Sequence, residues 1–128
     1  MHLFFAGVIV GIIILQTAVL APTLFKTLDA ESAGKLIRAL FPKFFLILAA
    51  LGVGILAALL LQETAASPVA LGIAATSIVF PLVCRMLIPT TNAARDAGNH
   101  AKFKMLHKAS VIMTVIVLLS NIALPFVG

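Results

Sequence analysis

The sequence predicts an all-α polytopic membrane protein, a bundle of four transmembrane helices, and three observations support this fold class. First, 62% of the 128 residues are hydrophobic and only 10% are charged. A soluble domain carries about 25% charged residues, and a chain this short cannot bury so much apolar surface inside itself. Second, the apolar residues form four long stretches. Third, the basic residues are confined to the segments that would lie on one side of a membrane.

The four apolar stretches cover residues 3–25, 44–61, 68–88 and 109–127. A helix rises 1.5 Å per residue, so about 20 residues cross a hydrocarbon core roughly 30 Å thick. Lipid offers no partner to an unpaired backbone group, and the alternation typical of a barrel strand is absent, so the spans are predicted to be helices. Residues 1–128 should form one domain. The first span lacks a basic segment ahead of it, so we expect a retained helix, not a signal peptide.

The connection between the first two spans carries helix signals of its own. Asp29 or Ser32 can cap a short amphipathic helix over residues 35–41, which Pro42 would end or kink.

The other two connections carry clearer stop and start signals. Ser67 is a predicted N-cap with Pro68 at the first helical position of the third span. Gly98 and Asn99 predict a break before the last helix.

All nine basic residues fall on one side of the predicted bundle: Lys26, Lys35, Arg38, Lys43, Arg85, Arg95, Lys102, Lys104 and Lys108. The positive-inside rule makes this side cytoplasmic. We therefore expect an integral protein of a bacterial cytoplasmic membrane with both termini and the Glu63 turn on the non-cytoplasmic side. This placement explains the pI near 10 without nucleic acid as a partner.

Arg85 is a candidate ligand-binding residue because a cation at the inner end of a span is costly without a partner. With Thr90, Thr91 and Asn92 it can hold an anion or a lipid headgroup. The structural alternative is that Arg85 snorkels to the interface or pairs with an acid of the same side. Those acids are Asp29, Glu31 and Asp96.

Polar residues recur at helical spacing inside the spans. His107, Ser110, Thr114 and Asn121 share one face of the last helix. Gln16 and Thr23 lie seven residues apart on the first helix, and Thr76 and Ser77 lie on the third. We expect these groups to face each other, either as interhelical hydrogen bonds or as the lining of a polar ligand pathway.

His107 is expected to turn inward, towards Arg85 or the 89–92 segment, because it begins the polar face of the last helix. The alternative places it in the headgroup layer as an amphipathic anchor. Arg85, Thr90, Thr91, Asn92, Ser110, Gln16 and His107 are thus the candidate ligand-binding residues.

Soft metal ligands cluster weakly towards the cytoplasmic end: Cys84, Met86, Met105 and His107. Copper(I) handling or a single haem ligand from His107 is a minor alternative, since Met and Cys are ordinary packing residues in lipid. No metal site, cofactor or catalytic residue is predicted. Gly7 with Gly11, and Gly52 with Gly54, can pack helices within one chain or between copies of a homo-oligomer.

Three phrases of the sequence resemble the transmembrane protein 205-like family of small four-helix membrane proteins. They are LFPKFF at 40–45, RMLIPTTNAA at 85–94, and FKMLH at 103–107 followed by Ser110. The connection between the last two spans is more compact than in longer members. The resemblance implies a four-helix membrane fold with polar signatures at one face, and it implies no particular reaction, cofactor or substrate.

Two functional hypotheses follow. The protein can bind or move a small solute, lipid or ion through a polar cleft open to the cytoplasm. Alternatively, it is a structural or accessory subunit whose basic face docks a membrane-protein partner or anionic membrane lipid.

Overall fold

The computed structural model of the protein, in which residues 1–127 are described, is an antiparallel bundle of four long helices. α1 spans His2–Thr27, α2 spans Ala30–Leu61, α3 spans Pro68–Asp96 and α4 spans His100–Val127. All four helices are long and apolar enough to cross a membrane, and residues 1–127 contain no β-strand. The predicted fold class is therefore confirmed.

Each helix packs against the next one in sequence, and α4 returns to pack against α1. The largest fully buried apolar side chains are Ile9, Ile13, Leu48, Ile55 and Leu124. In lipid the association of such helices rests on close packing and interhelical hydrogen bonds, because lipid tails are as apolar as the core itself. The outer surface of the bundle accordingly exposes many large apolar side chains, among them Phe4, Val53 and Leu119.

α2 is one continuous helix, so the prediction of a separate amphipathic helix over 35–41 is wrong. The helix begins after Asp29, whose side chain accepts a hydrogen bond from the Ser32 amide at 3.2 Å. It then passes through Pro42. Proline removes one amide donor and leaves the carbonyl of Arg38 without its helical hydrogen bond, yet the helix continues. The continuous helix carries basic residues well beyond the apolar segment.

α3 likewise continues past the predicted end of its span, through Pro89 to Asp96. Its start agrees with the prediction, since the Ser67 hydroxyl accepts from the Ala70 amide at 3.1 Å. The turn to α4 is confined to residues 97–99. Gly98 has a φ of +70°, a conformation that favours glycine, and the Asn99 side chain accepts from the Lys102 amide at 3.2 Å.

α1 contains a π-helical segment, Leu15–Leu20, that the sequence did not predict. Within it, the Thr17 hydroxyl donates to the Ile13 carbonyl at 2.8 Å. A π-helix bonds each residue five positions along, so the angular step per residue is smaller than in an α-helix. Residues seven apart then no longer share a face. Gln16 is buried as expected, whereas Thr23 is exposed and does not join the polar face.

Gly52 allows α2 and α3 to approach closely. A Cβ atom at this position would lie 2.7 Å from both the carbonyl carbon and the carbonyl oxygen of Ser77. Pro81, one turn later, deprives that same carbonyl of its helical donor. The free carbonyl therefore faces the glycine backbone, where a Cα–H can make a weak hydrogen bond to it.

Candidate functional site

Ser77 and Asn121 form the main polar link inside the bundle. The Asn121 amide nitrogen donates to the Ser77 hydroxyl at 2.9 Å and to the Val117 carbonyl at 2.8 Å. The Ser77 hydroxyl in turn donates to the Ile73 carbonyl at 2.8 Å. The expectation that polar positions of α3 and α4 face each other is confirmed for this pair.

A second polar link joins the same helices nearer their basic ends. The Ser110 carbonyl accepts from the Cys84 thiol at 3.6 Å and from the Thr114 hydroxyl at 2.8 Å. Cys84 is buried, and Ser110 and Thr114 are half-buried. The predicted inward face of α4 is therefore present at Ser110, Thr114 and Asn121, where it serves helix packing.

Two buried amide atoms lack a hydrogen-bond partner among the described residues: Nε2 of Gln16 and Oδ1 of Asn121. They are a donor and an acceptor, but they lie at different depths in the bundle. Counting from the shared end of α1 and α4, the helical rise separates the two residues by roughly 12 Å. They cannot satisfy each other, so each keeps an unused hydrogen-bonding group in the core.

A double-mutant cycle on Ser77→Ala and Asn121→Ala should give a coupling free energy of about 0.6 kcal/mol, with about 1.7 as the upper end for bonds of this kind in membranes. The measurement is the free energy of unfolding in mixed micelles of mild detergent and dodecyl sulfate. Strictly additive losses would show that the 2.9 Å contact contributes no interaction energy of its own.

His107 does not turn inward, and that prediction is wrong. Its side chain is exposed, and its ring stacks on Phe103 with centroids 5.6 Å apart and planes 9° apart. Phe103 lies one helical turn earlier, so the two rings meet on the surface of α4. The Arg95 guanidinium lies 5.6 Å from the centre of the Phe103 ring. His107 therefore belongs to a surface stack and not to the interior polar face.

Arg85 takes a backbone partner and none of the carboxylates that one of the alternatives offered it. Its Nε donates to the Pro42 carbonyl at 3.3 Å, which ties α3 to α2. Asp96 pairs instead with Arg38, through contacts of 2.5 and 3.2 Å. The hydrogen bonds from Arg38 hold the pKa of the Asp96 carboxyl below its usual value. Of the alternatives for Arg85, pairing with an acid is therefore the one that the structure does not have.

The other members of the predicted anion site do not converge on Arg85. The Thr91 hydroxyl donates to the Leu87 carbonyl of its own helix at 2.8 Å. Thr90 is exposed, and helical spacing places only Asn92 on the same face as Arg85, two turns further along.

The four residues considered as soft-metal ligands lie in different environments. Cys84 is 1% exposed, whereas Met86 is 76% and Met105 is 62% exposed, and His107 lies in the surface stack. Within the described chain, no three His, Cys, Asp or Glu side chains are grouped so that they could hold a metal ion.

The basic end is the most distinctive surface of the molecule. Every Lys and Arg is exposed, and all of them lie at the end where α1 joins α2 and α3 joins α4. The three acids of this end are already engaged: Asp29 caps α2, Glu31 lies 3.5 Å from Lys35, and Asp96 pairs with Arg38. Most of the positive charge therefore remains available to an external anion.

A shallow groove of about 240 Å³ opens at this basic end, between the start of α2 and the end of α3. Its lining residues are Ala30, Glu31, Gly34, Lys35, Arg38 and Arg95. The sequence did not predict this groove, because it brings the start of α2 and Arg95 of α3 together from distant parts of the chain. No local spacing signals such a contact.

The fold and the apolar helices define the class as a four-helix membrane protein. The chain belongs to the family described as Domain of unknown function (DUF4149), whose model matches residues 4–100. The matched range includes the phrases at 40–45 and 85–94, while the one at 103–107 lies beyond it. No curated protein and no solved structure matches the chain.

Proposed function

We propose that this chain is a non-enzymatic, accessory membrane protein that binds anionic phospholipid through its basic end at the cytoplasmic surface. The single observation that carries the proposal is the continuation of α2, α3 and α4 beyond their apolar segments as a basic extension. Its acids are engaged by neighbouring groups, whereas most of its cations are not. Each Lys or Arg next to an anionic membrane surface contributes a binding free energy of about 1 kcal/mol.

The depth of the charges supports this proposal. From the outer end of α3 to Arg85, and from the outer end of α2 to Lys43, the helical rise amounts to roughly 26 Å. A hydrocarbon core is about 30 Å thick. The remaining, basic part of each helix then lies among the headgroups and beyond them, where negative lipid charge is concentrated.

Lipid enrichment in nanodiscs tests the proposal. We expect discs assembled around the protein from equal parts of phosphatidylcholine and phosphatidylglycerol to be enriched in phosphatidylglycerol, and the enrichment to fall as salt rises. Lipid mass spectrometry gives the ratio against empty discs. The double variant Lys102→Gln with Lys104→Gln should lower it, whereas Glu63→Gln, at the opposite end, should not. Discs with the bulk ratio of lipids at low salt would contradict the proposal.

A second candidate function is the passage of a small polar solute or ion through the bundle, and the unpaired amide atoms of Gln16 and Asn121 favour it. The polar cleft of this hypothesis would have to form between helices, because the described core is largely aliphatic. Solute flux in proteoliposomes tests it. Gln16→Leu and Asn121→Leu should abolish flux while leaving lipid enrichment unchanged.

The proposal includes three further points. The basic end faces the cytoplasm, the protein lies in a bacterial inner membrane, and the chain is related more narrowly to the transmembrane protein 205-like family. The homo-oligomer also stays a prediction. Gly7 and Gly11 of α1 are exposed, and a Cβ added at either would meet no heavy atom within 4 Å. That leaves their face open to lipid or to a second copy.

A further inference from the structure

Arg85 and Lys43 are the two cations that lie deepest in the bundle, measured from its basic end. Arg85 precedes the end of α3 by roughly 16 Å of helix, and Lys43 follows the start of α2 by roughly 20 Å. The other basic residues all lie nearer the ends of their helices. Both residues also lie roughly 26 Å from the outer ends of their helices, so the inner boundary of a hydrocarbon core about 30 Å thick passes close to this pair.

Arg85 and Lys43 are also neighbours across the α2–α3 interface. The Nε of Arg85 donates to the carbonyl of Pro42, the residue directly before Lys43, at 3.3 Å. Both side chains are exposed. The Nε hydrogen bond anchors the base of the guanidinium and leaves its two terminal amino groups for another acceptor.

The chain supplies no countercharge at this depth within its described residues. Asp29 and Glu31 lie at the start of α2, Asp96 is engaged by Arg38 at the end of α3, and Glu63 lies at the opposite end of the bundle. A cation at the hydrocarbon boundary is costly unless an anion accompanies it. The lipid phosphate layer is the nearest source of anions at that level.

We infer that Arg85 and Lys43 form a binding site for the phosphate of one anionic phospholipid, seated on the α2–α3 interface. This inference rests on the proposed function and gives it a specific site. The guanidinium provides paired N–H donors that match phosphate oxygens, and the ammonium adds a second charge. The acyl chains would lie along the apolar outer faces of α2 and α3, which expose Leu46 and Leu82.

Native mass spectrometry of the detergent-solubilised protein, titrated with phosphatidylglycerol, tests the site. Arg85→Gln and Lys43→Gln should each weaken the first binding event about fivefold, as expected for roughly 1 kcal/mol per basic side chain. Lys108→Gln removes the same charge from α4, roughly 12 Å from the start of that helix, and should leave the first event unchanged. Arg85→Lys keeps the charge but lacks the guanidinium fork, so it should fall between wild type and Arg85→Gln. Thermal unfolding in detergent confirms that each variant compared is folded.

The outcomes separate the site from the broader function. Equal weakening in all three glutamine variants, or weakening in none, overturns the site while lipid enrichment in nanodiscs still stands. Absence of phosphatidylglycerol preference in the wild type removes both. Displacement of the first lipid by millimolar inorganic phosphate would also overturn the inference, because it would assign the site to free phosphate.

Discussion

Gly52→Ala is expected to destabilise the bundle by roughly 1–3 kcal/mol, the range for overpacking a close contact. The added Cβ would lie 2.7 Å from the carbonyl carbon and oxygen of Ser77. Both are backbone atoms, so no side-chain rotation relieves the contact, and α2 must move away from α3. The midpoint of thermal unfolding in detergent should fall, and Gly52→Val should lower it further.

Gly72→Ala is the matched control for this prediction. Gly72 is also helical, but it is exposed, and an added Cβ would meet no heavy atom within 4 Å. The higher helix propensity of alanine should leave stability equal or slightly improved. Equal midpoints for wild type and Gly52→Ala would show that the two helices do not approach as closely as the structure has them.

The fold class could be predicted because it depends on composition and on segment length. Lipid permits few architectures, so four apolar stretches and a one-sided charge distribution are sufficient. The capping positions Asp29 and Ser67 could be predicted for a similar reason, since a cap depends on residues within one turn. Caps of this kind can therefore be predicted without knowledge of the tertiary structure.

Helix ends inside polar segments could not be predicted so well. The sequence predicts that Pro42 ends or kinks its helix and that the third span ends at residue 88, yet one helix continues through Pro42 and the other runs on to Asp96. A proline removes only one hydrogen bond, and the packing of a neighbouring helix can offset that loss. The sequence also did not predict the π-helical segment Leu15–Leu20. This segment turns Thr23 away from the face of Gln16, so the prediction that the two share a face failed.

The spacing of polar residues predicted contacts inside the bundle better than contacts on its surface. Asn121 and Ser77 meet as the spacing predicted, because a polar group inside a span must find a partner. His107, close to the helix end, has both water and Phe103 available and needs no interior partner. Arg38 and Asp96 meet only because two helices extend side by side, which no spacing within either segment encodes.

Membrane orientation is the prediction with an all-or-none result. We expect a cysteine at position 63 to react with a membrane-impermeant maleimide added to intact spheroplasts of a bacterial host, and a cysteine at position 97 to react only after lysis. Glu63 and Ala97 are both exposed and lie in connections at opposite ends of the bundle. We expect this orientation because all nine basic residues lie at the end that contains Ala97, and the positive-inside rule assigns such an end to the cytoplasm.

The single native cysteine makes this experiment clean. Cys84 is buried, and Cys84→Ala removes the only other thiol while the Thr114 hydroxyl still donates to the Ser110 carbonyl. Glu63→Cys and Ala97→Cys are then introduced separately, and the fraction labelled is read by the mass shift of the protein. Labelling at position 97 but not 63 before lysis would invert the topology and place the basic end outside, where anionic lipid of the cytoplasmic leaflet could not reach it. Labelling of both sites in intact spheroplasts, or of neither until lysis, would mean that the two connections lie on the same side of the membrane. Because α3 is the single helix between them, that result would show that α3 does not cross the membrane.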